Sequence, residues 1–357
     1  MMTISVCMIV KNEEDVLARC LTCASKFADE IVIVDTGSDD SSKEIAKQFT
    51  DKVYDFEWIE DFSAARNYSF SQATQDFCMW LDADDIIEDS EIEKIIALKE
   101  TLPTDVNVVY MKYNTGFDEK GNVSFSFYRE RLIRRSCGMI WRGAVHEAIS
   151  SIGKRLYTEI AISHRKLKSR DNTRNLRIYE SEISKGHPLC ARDKFYYARE
   201  LTYHNRYKEA TQVLEEVLDD PTAWIENQIE ACRSLYISYL KLNNRKKALY
   251  SLLNSFEFDR PRAEICCDLG SYFIEEKKYD TAVFWYETAL SCERNDQSGA
   301  FILPDCYDFQ PHLQLCVCYY RLNNIEKSIY HNEQAGKLKP ESQSYLHNKA
   351  FFDSLKH

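Results

Sequence analysis

From Ile4 to about residue 165, short apolar runs alternate with stretches whose apolar positions recur every third or fourth residue. "ISVCMIV" (4–10), "EIVIVDTGS" (30–38), "DKVYDFEW" (51–58) and "DFCMWLDADD" (76–85) are rich in β-branched and aromatic residues and bounded by polar turns, which predicts strands. Between them "EEDVLARCLTCASKF", "DSSKEIAKQF" and "SAARNYSFSQAT" carry helical spacing. Strand and helix alternating in this way predict a parallel sheet with helices on both faces. "VNVVYMKYN" and "NVSFSFYRERLIRR" follow, split by "TGFDEKGN", whose Asp, Gly and Asn suit a hairpin, so the expected sheet is mixed.

From about residue 190 the period is helical throughout, and small residues mark a repeat. Ala210, Ala248, Ala282 and Ser328 each follow a short polar turn. Upstream at fixed offsets lie Leu201, Tyr239, Phe273 and Tyr319, then Ala198, Tyr236, Gly270 and Cys316; downstream lie Val217, Ser255, Ala289 and Ala335. Small residues are needed where two helices cross closely, and aromatics fill the space between neighbouring hairpins. The pattern resembles tetratricopeptide repeats. Before the fourth unit stands an insertion, "SCERNDQSGAFILPDCYDFQP", and "SYLHNKAFFDSL" reads as a capping helix. The expected boundaries are 1–165 for the first domain, 166–189 for a basic linker and helix, and 190–357 for the repeats.

Composition narrows the class. With 44% hydrophobic and 29% charged residues the chain reads as soluble and folded, and no apolar run approaches the roughly 20 residues of a membrane helix. A net charge of −11 disfavours a nucleic-acid partner. "MMTISVCMIVKNEED" lacks a basic region and a cleavage site, so the expected location is cytoplasmic. The 13 cysteines, with "CC" and "CVC" at no metal-ligand spacing, read as reduced core thiols.

The candidate chemistry lies where apolar strands end in acid. In parallel sheets ligands bind beyond the carboxyl ends of the strands, and here "IVIVD" ends at Asp35 and "CMWLDAD" at Asp82 and Asp84. Asp82, Asp84 and Asp85 repel one another unless a cation neutralises them, and a hard divalent ion shared with substrate phosphates does so. Glu88, Asp89 and Glu91 suit the first turn of a helix instead. Neither G-x-G-x-x-G after a strand nor G-x-x-x-x-G-K-[ST] occurs, which leaves a dinucleotide oxidoreductase and a phosphate-loop ATPase unsupported.

"CMIVKNEEDVLARCL", "EIVIVDTGSDDSSKEIA", "DFSAARNYSF", "MWLDADD" and "WRGAVHEAI", in this order, resemble the inverting family 2 glycosyltransferases of glycosyltransferase-A fold. Joined to the repeats, they resemble a narrower bacterial group that includes the sublancin-type, bacteriocin-modifying peptide S-glycosyltransferases. The resemblance implies that Asp35 binds the uracil or ribose side of a nucleotide-sugar, flanked by the backbone from Val10 through Asn12 to Glu14. It implies further that Asp82 lies near ribose and metal, that Asp84 ligates the metal, that Arg66 and Asn67 help hold the donor, and that His146 closes the site as a distant ligand. Mn²⁺ or Mg²⁺ is the implied cofactor, Mn²⁺ suiting an imidazole better.

Inverting transfer needs a base and a clamp on the leaving diphosphate. Glu147 and Asp85 are the base candidates, and the choice stays open. The run "YRERLIRRS" holds Arg129, Arg131, Arg134 and Arg135; alternate residues of a strand share a face, so one set, with Arg131, is expected to meet the diphosphate. The expected activity is transfer of a hexose from a UDP-hexose to a Cys, Ser or Thr side chain, with the repeats engaging the peptide or protein acceptor and a homodimer compatible with them. A glycan-extending transferase and a catalytically dead repeat scaffold are the alternatives.

Overall fold

The computed structural model describes residues 1–118, 120–167 and 173–355. The chain divides into two units, Met1–Pro188 and Leu189–His357.

The first unit contains, in chain order, β1 (Ile4–Val10), α1 (Leu17–Ala24), β2 (Glu30–Asp35), α2 (Ser42–Ala46), β3 (Val53–Asp55), α3 (Phe62–Ser71), β4 (Phe77–Trp80), β5 (Asp85–Ile86) and α4 (Asp89–Thr101). A hairpin of β6 (Val106–Phe117) and β7 (Val123–Arg134) follows, then a short ribbon of β8 (Trp141–Arg142) and β9 (Ala148–Ile149), then β10 (Lys154–His164) and α5 (Arg174–Ser184). Eight strands form one sheet in the order β3-β2-β1-β4-β7-β6-β10-β5. The pairs β3–β2, β2–β1 and β1–β4 are parallel and the β4–β7 and β7–β6 pairs antiparallel, so the sheet is mixed as the pattern predicts.

β1, β2 and β4 are buried almost throughout because helices cover both sheet faces, which is why these strands read as continuous apolar runs. Ile4, Val6 and Met8 of β1 join Leu17 and Leu21 of α1 and Ile92 and Ile95 of α4 in one core, while Cys7 faces the other side with Val32 and Cys78. The alternation follows from the period of two along a strand. Val10 pairs with Asp35 and Cys7 with Trp80, so the parallel register brings the acidic ends of β2 and β4 to the same edge.

The hairpin was expected from the sequence, but β10 was not. It runs parallel to β6, and its last residue, His164, pairs with Asp85 of β5. Of the expected linker, residues 168–172 lie outside the described residues. Its helix, α5, belongs with the first unit, where the buried Tyr179 donates to the Val145 carbonyl at 3.3 Å.

The second unit stacks helical hairpins: α6 (Ala191–Tyr203) with α7 (Tyr207–Asp219), α8 (Ile225–Lys241) with α9 (Arg245–Asn254), α10 (Ala263–Glu275) with α11 (Tyr279–Ser291), and α12 (Phe309–Arg321) with α13 (Ile325–Leu338). The helix α14 (Gln343–Ser354) closes the stack. All of the repeat-marking residues are buried except Phe273, which is half-buried. Gly270 shows why small residues recur, since a Cβ there would stand 2.5 Å from the ring of Tyr286. Asn205, Asn243 and Asn323 take left-handed φ values of 61°, 57° and 58° in the turns between paired helices, a conformation Asn tolerates better than most residues. The 13 cysteines are all free. Among the described residues no helix is long and apolar enough to cross a membrane.

Candidate active site

Asp35 ends β2 and is 4% exposed. Its Oδ1 accepts from the amides of Gly37 and Ser38, both at 3.0 Å, and Gly37 takes a φ of 95° that allows this tight turn. Its Oδ2 is buried with no hydrogen-bond partner among the described residues. An unsatisfied buried acceptor of this kind costs about 1–3 kcal/mol unless a ligand donor meets it.

The loop after β1 is tied to the loop after β2. Thr36 N donates to Val10 O, Asn12 N to Ser38 Oγ, Asp39 N to Asn12 Oδ1, and Ser41 N to Glu14 Oε2. Asn12, at φ 55°, turns the chain there. The backbone of Val10 to Glu14 is therefore fixed beside Asp35.

The short helix α3 supplies Arg66. Asp61 caps it by accepting from Ala64 N, and Phe62 N donates to Ala144 O, which fastens the "GAVHE" loop to its first turn. Arg66 is buried between two acids: its Nη2 donates to Asp82 Oδ1 at 2.9 Å and its Nε to Glu147 Oε1 at 2.5 Å. The Trp80 and Trp141 rings lie 5.0 and 5.1 Å from the guanidinium carbon. Asn67 is engaged elsewhere, its amide bonded to the backbone oxygen and nitrogen of Trp141 at 2.9 and 2.8 Å.

Beyond β4, Asp82, Asp84, Asp85 and His164 converge, each offering one ligand atom within 4.8 Å of the others. His164 Nδ1 lies 3.1 Å from Asp84 Oδ1 and 3.3 Å from Asp85 Oδ1. Burial opposes a charged imidazole, but the hydrogen bonds to Asp84 and Asp85 outweigh it and push the His164 pKa up to about 9. For Asp82, burial opposes ionisation, yet Arg66 and then Arg131 outweigh it and hold the carboxyl well below the usual carboxylate range. A cluster of carboxylate oxygens and one imidazole nitrogen is a donor set that fits Mn²⁺ and, with more water, Mg²⁺.

Asp85 is the most buried member of this cluster, and it pairs with Arg131. Both side chains are 0% exposed, and Arg131 Nη1 donates to Asp85 Oδ2 at 3.2 Å and to Trp80 O at 3.0 Å. Asp85 also accepts from Tyr113 Oη and from the amide of Asp82, which fixes the turn that presents Asp82 and Asp84. The guanidinium of Arg131 stands 3.6 Å from the Trp80 ring and 4.2 Å from that of Tyr113. The expectation that Arg131 meets the diphosphate and that Asp85 takes an acceptor proton thus meets a fully enclosed ion pair. Arg129 pairs with its neighbour Glu130, while Arg134 and Arg135 bond the carbonyls of Val106, Thr104 and Gln75.

His146, expected as the distant ligand, is not one of the four clustered residues; it takes a left-handed φ of 51° next to Glu147. The imidazole in the cluster is His164, which the sequence reading missed because β10 was missed. A weak signal was present: Leu156, Ile160 and Ile162 fall on one face of a strand-length stretch that runs into "SHR", although Thr158 and Ala161 interrupt a strict apolar-polar alternation.

Residues 5–153 match the family described as Glycosyl transferase family 2. Over 286 residues the chain is 26% identical to the SPbeta prophage-derived glycosyltransferase SunS of Bacillus subtilis, covering 76% of this chain and 65% of that protein. A stretch of 85 residues is 42% identical to a TPR repeat-containing protein of Synechococcus elongatus, covering 24% of this chain and 21% of that protein. The lipopolysaccharide core biosynthesis glycosyltransferase LpsC of Rhizobium meliloti is 28% identical over 104 residues, which cover 28% of this chain and 36% of that protein. The chain spans less than two thirds of the length of each of these three. The chain thus carries, at residues 5–153, a domain that matches the family described as Glycosyl transferase family 2, built on a mixed sheet with acidic strand ends and followed by stacked helical hairpins.

Proposed function

We propose that the chain moves a hexose from a nucleotide-sugar, with UDP-hexose as donor, to a side chain of a peptide or protein, with inversion at the anomeric carbon. The observation that carries this reading is the convergence of Asp82, Asp84 and His164 at the sheet edge that also holds Asp35. The unpartnered Asp35 Oδ2 suits a base N–H or a ribose hydroxyl, with the Val10 to Glu14 backbone alongside. Asp84 and His164 would hold a divalent ion, Mn²⁺ or Mg²⁺, which supplies Lewis-acid stabilisation of the departing diphosphate. To act as a ligand, His164 must first shed the proton it shares with Asp84 and Asp85.

Arg66 sets the positions of Asp82 and Glu147 by bonding both. Glu147 is the better placed of the two base candidates. Among the described residues only its Oε1 is engaged, by Arg66, whereas Asp85 is fully enclosed. A thiol acceptor lowers the demand on this base, since a pKa near 8.5 leaves some thiolate at neutral pH.

A polypeptide acceptor is supported by the repeats, whose stacked hairpins build extended binding surfaces, and by the resemblance of the sequence to peptide S-glycosyltransferases. A saccharide or lipid-linked acceptor is the second reading, favoured by the likeness to LpsC. Coexpression with short Cys- or Ser-containing peptides, followed by mass spectrometry, separates the two. A hexose increment on a peptide is the expected result; extension of a glycan with every peptide unmodified overturns the polypeptide acceptor.

A further inference from the structure

The insertion before the fourth hairpin does more than connect α11 to α12. The other links between hairpins, residues 220–224 and 255–262, pass directly to the next first helix, whereas residues 292–308 travel back along the stack. Phe301 reaches α6, in the first hairpin, where its ring lies 5.9 Å from that of Phe195 and 4.6 Å from the guanidinium carbon of Arg199. Gly299, at φ 79°, passes so close to Trp224 that a Cβ would stand 2.9 Å from the indole.

On α10, Glu264 holds the returning chain with both oxygens: Oε1 accepts from Leu303 N at 2.8 Å and Oε2 from Tyr307 Oη at 3.2 Å. Ala300, Phe301 and Ile302 line one side of a small, partly open pocket whose other walls include Ile229 and Arg233 of α8 and Ile265 of α10. The segment "GAFIL" thus lies across the first helices of three successive hairpins. An aromatic ring sits between a ring and a cation, and a backbone N–H is bonded by a buried carboxylate. Each of these is a contact that a bound peptide would make.

We propose that residues 299–303 are a built-in occupant of the repeat domain's peptide groove, and that a polypeptide bearing an aromatic residue followed by aliphatic ones binds by displacing them. This rests on the reading that the repeats recruit a polypeptide, but not on any glycosyl transfer. The tether gives the strap a millimolar effective concentration, so a free peptide competes weakly until the strap is loosened.

The test uses the full chain and a synthetic peptide of residues 297–304, with a version carrying Ala in place of Phe as control. Binding is measured by calorimetry to the unaltered chain, to Phe301→Ala, and to a chain with residues 297–303 replaced by a Gly/Ser linker. The half-buried Phe301 can be truncated without opening the helical core, which keeps the test decisive if the linker variant fails to fold. Peptide affinity is expected to rise about tenfold or more in Phe301→Ala, and further in the linker variant, with the control peptide binding no variant. Equal affinity for the unaltered chain and Phe301→Ala, or no binding to either, overturns the proposal. Since no donor is present, neither outcome depends on catalysis.

Discussion

His164 Nδ1 stands 3.1 Å from Asp84 Oδ1, so that the last residue of β10 meets the second acid of the D-x-D turn. The contact arises from the pairing of His164 with Asp85 across β10 and β5. It motivates the proposal that His164, rather than His146, shares a cation with Asp84. His164→Ala should weaken Mn²⁺ binding in the presence of a nucleoside diphosphate by at least about tenfold, the scale on which even an outer partner of a ligand matters. His146→Ala should weaken it less. Mn²⁺ titrations followed by electron paramagnetic resonance give both values, and the opposite ranking would return the ligand role to His146.

Arg131 and Asp85 form an ion pair with no exposure on either side chain. Removing Arg131 takes the guanidinium partner from the buried Asp85, and breaking a buried pair typically costs about 3–5 kcal/mol, offset in part by the bonds Asp85 keeps to Tyr113, the Asp82 amide and His164. Arg131→Met should lower the denaturant midpoint of the first unit's unfolding accordingly, as read by tryptophan fluorescence from Trp80 against its ring. An unchanged midpoint would mean that Arg131 is not holding the turn.

Gly270→Ala separates two opposed effects. Alanine gains up to about 1 kcal/mol in a helix interior, yet its Cβ would meet the buried ring of Tyr286 at 2.5 Å, and overpacking of this sort costs about 1–3 kcal/mol. Packing should win, and the melting temperature of the repeat unit by circular dichroism should fall. A rise would show that Tyr286 yields without cost.

The sequence was most legible where burial on both faces forces an uninterrupted apolar run, as in β1, β2 and β4, and where helix crossings demand small residues, as at Ala210, Ala282 and Gly270. The acids at the ends of β2 and β4 were legible for the same reason, since apolar strands deliver them to one edge. His164 was not, because its place beside Asp84 depends on strand pairing between distant segments. Nor did alternation along β7 identify the environment of Arg131: period two assigns residues to a face, but the ring of Trp80 and the carboxylate of Asp85 come from other strands. The reach of Phe301 to Phe195 likewise has no local signature.

The edge holding Asp35, Asp82, Asp84 and His164 is proposed to transfer a sugar from a nucleotide-sugar donor. Release of nucleoside diphosphate from a panel of nucleotide-sugars, with Mn²⁺ and with an acceptor peptide, measures it directly. The unaltered chain should release diphosphate from a UDP-hexose, and Asp84→Ala should lose about 100-fold or more of that rate, the scale of losing one electrostatic stabiliser of a developing charge. Undiminished release by Asp84→Ala, or no release from any donor by the unaltered chain, would contradict the account.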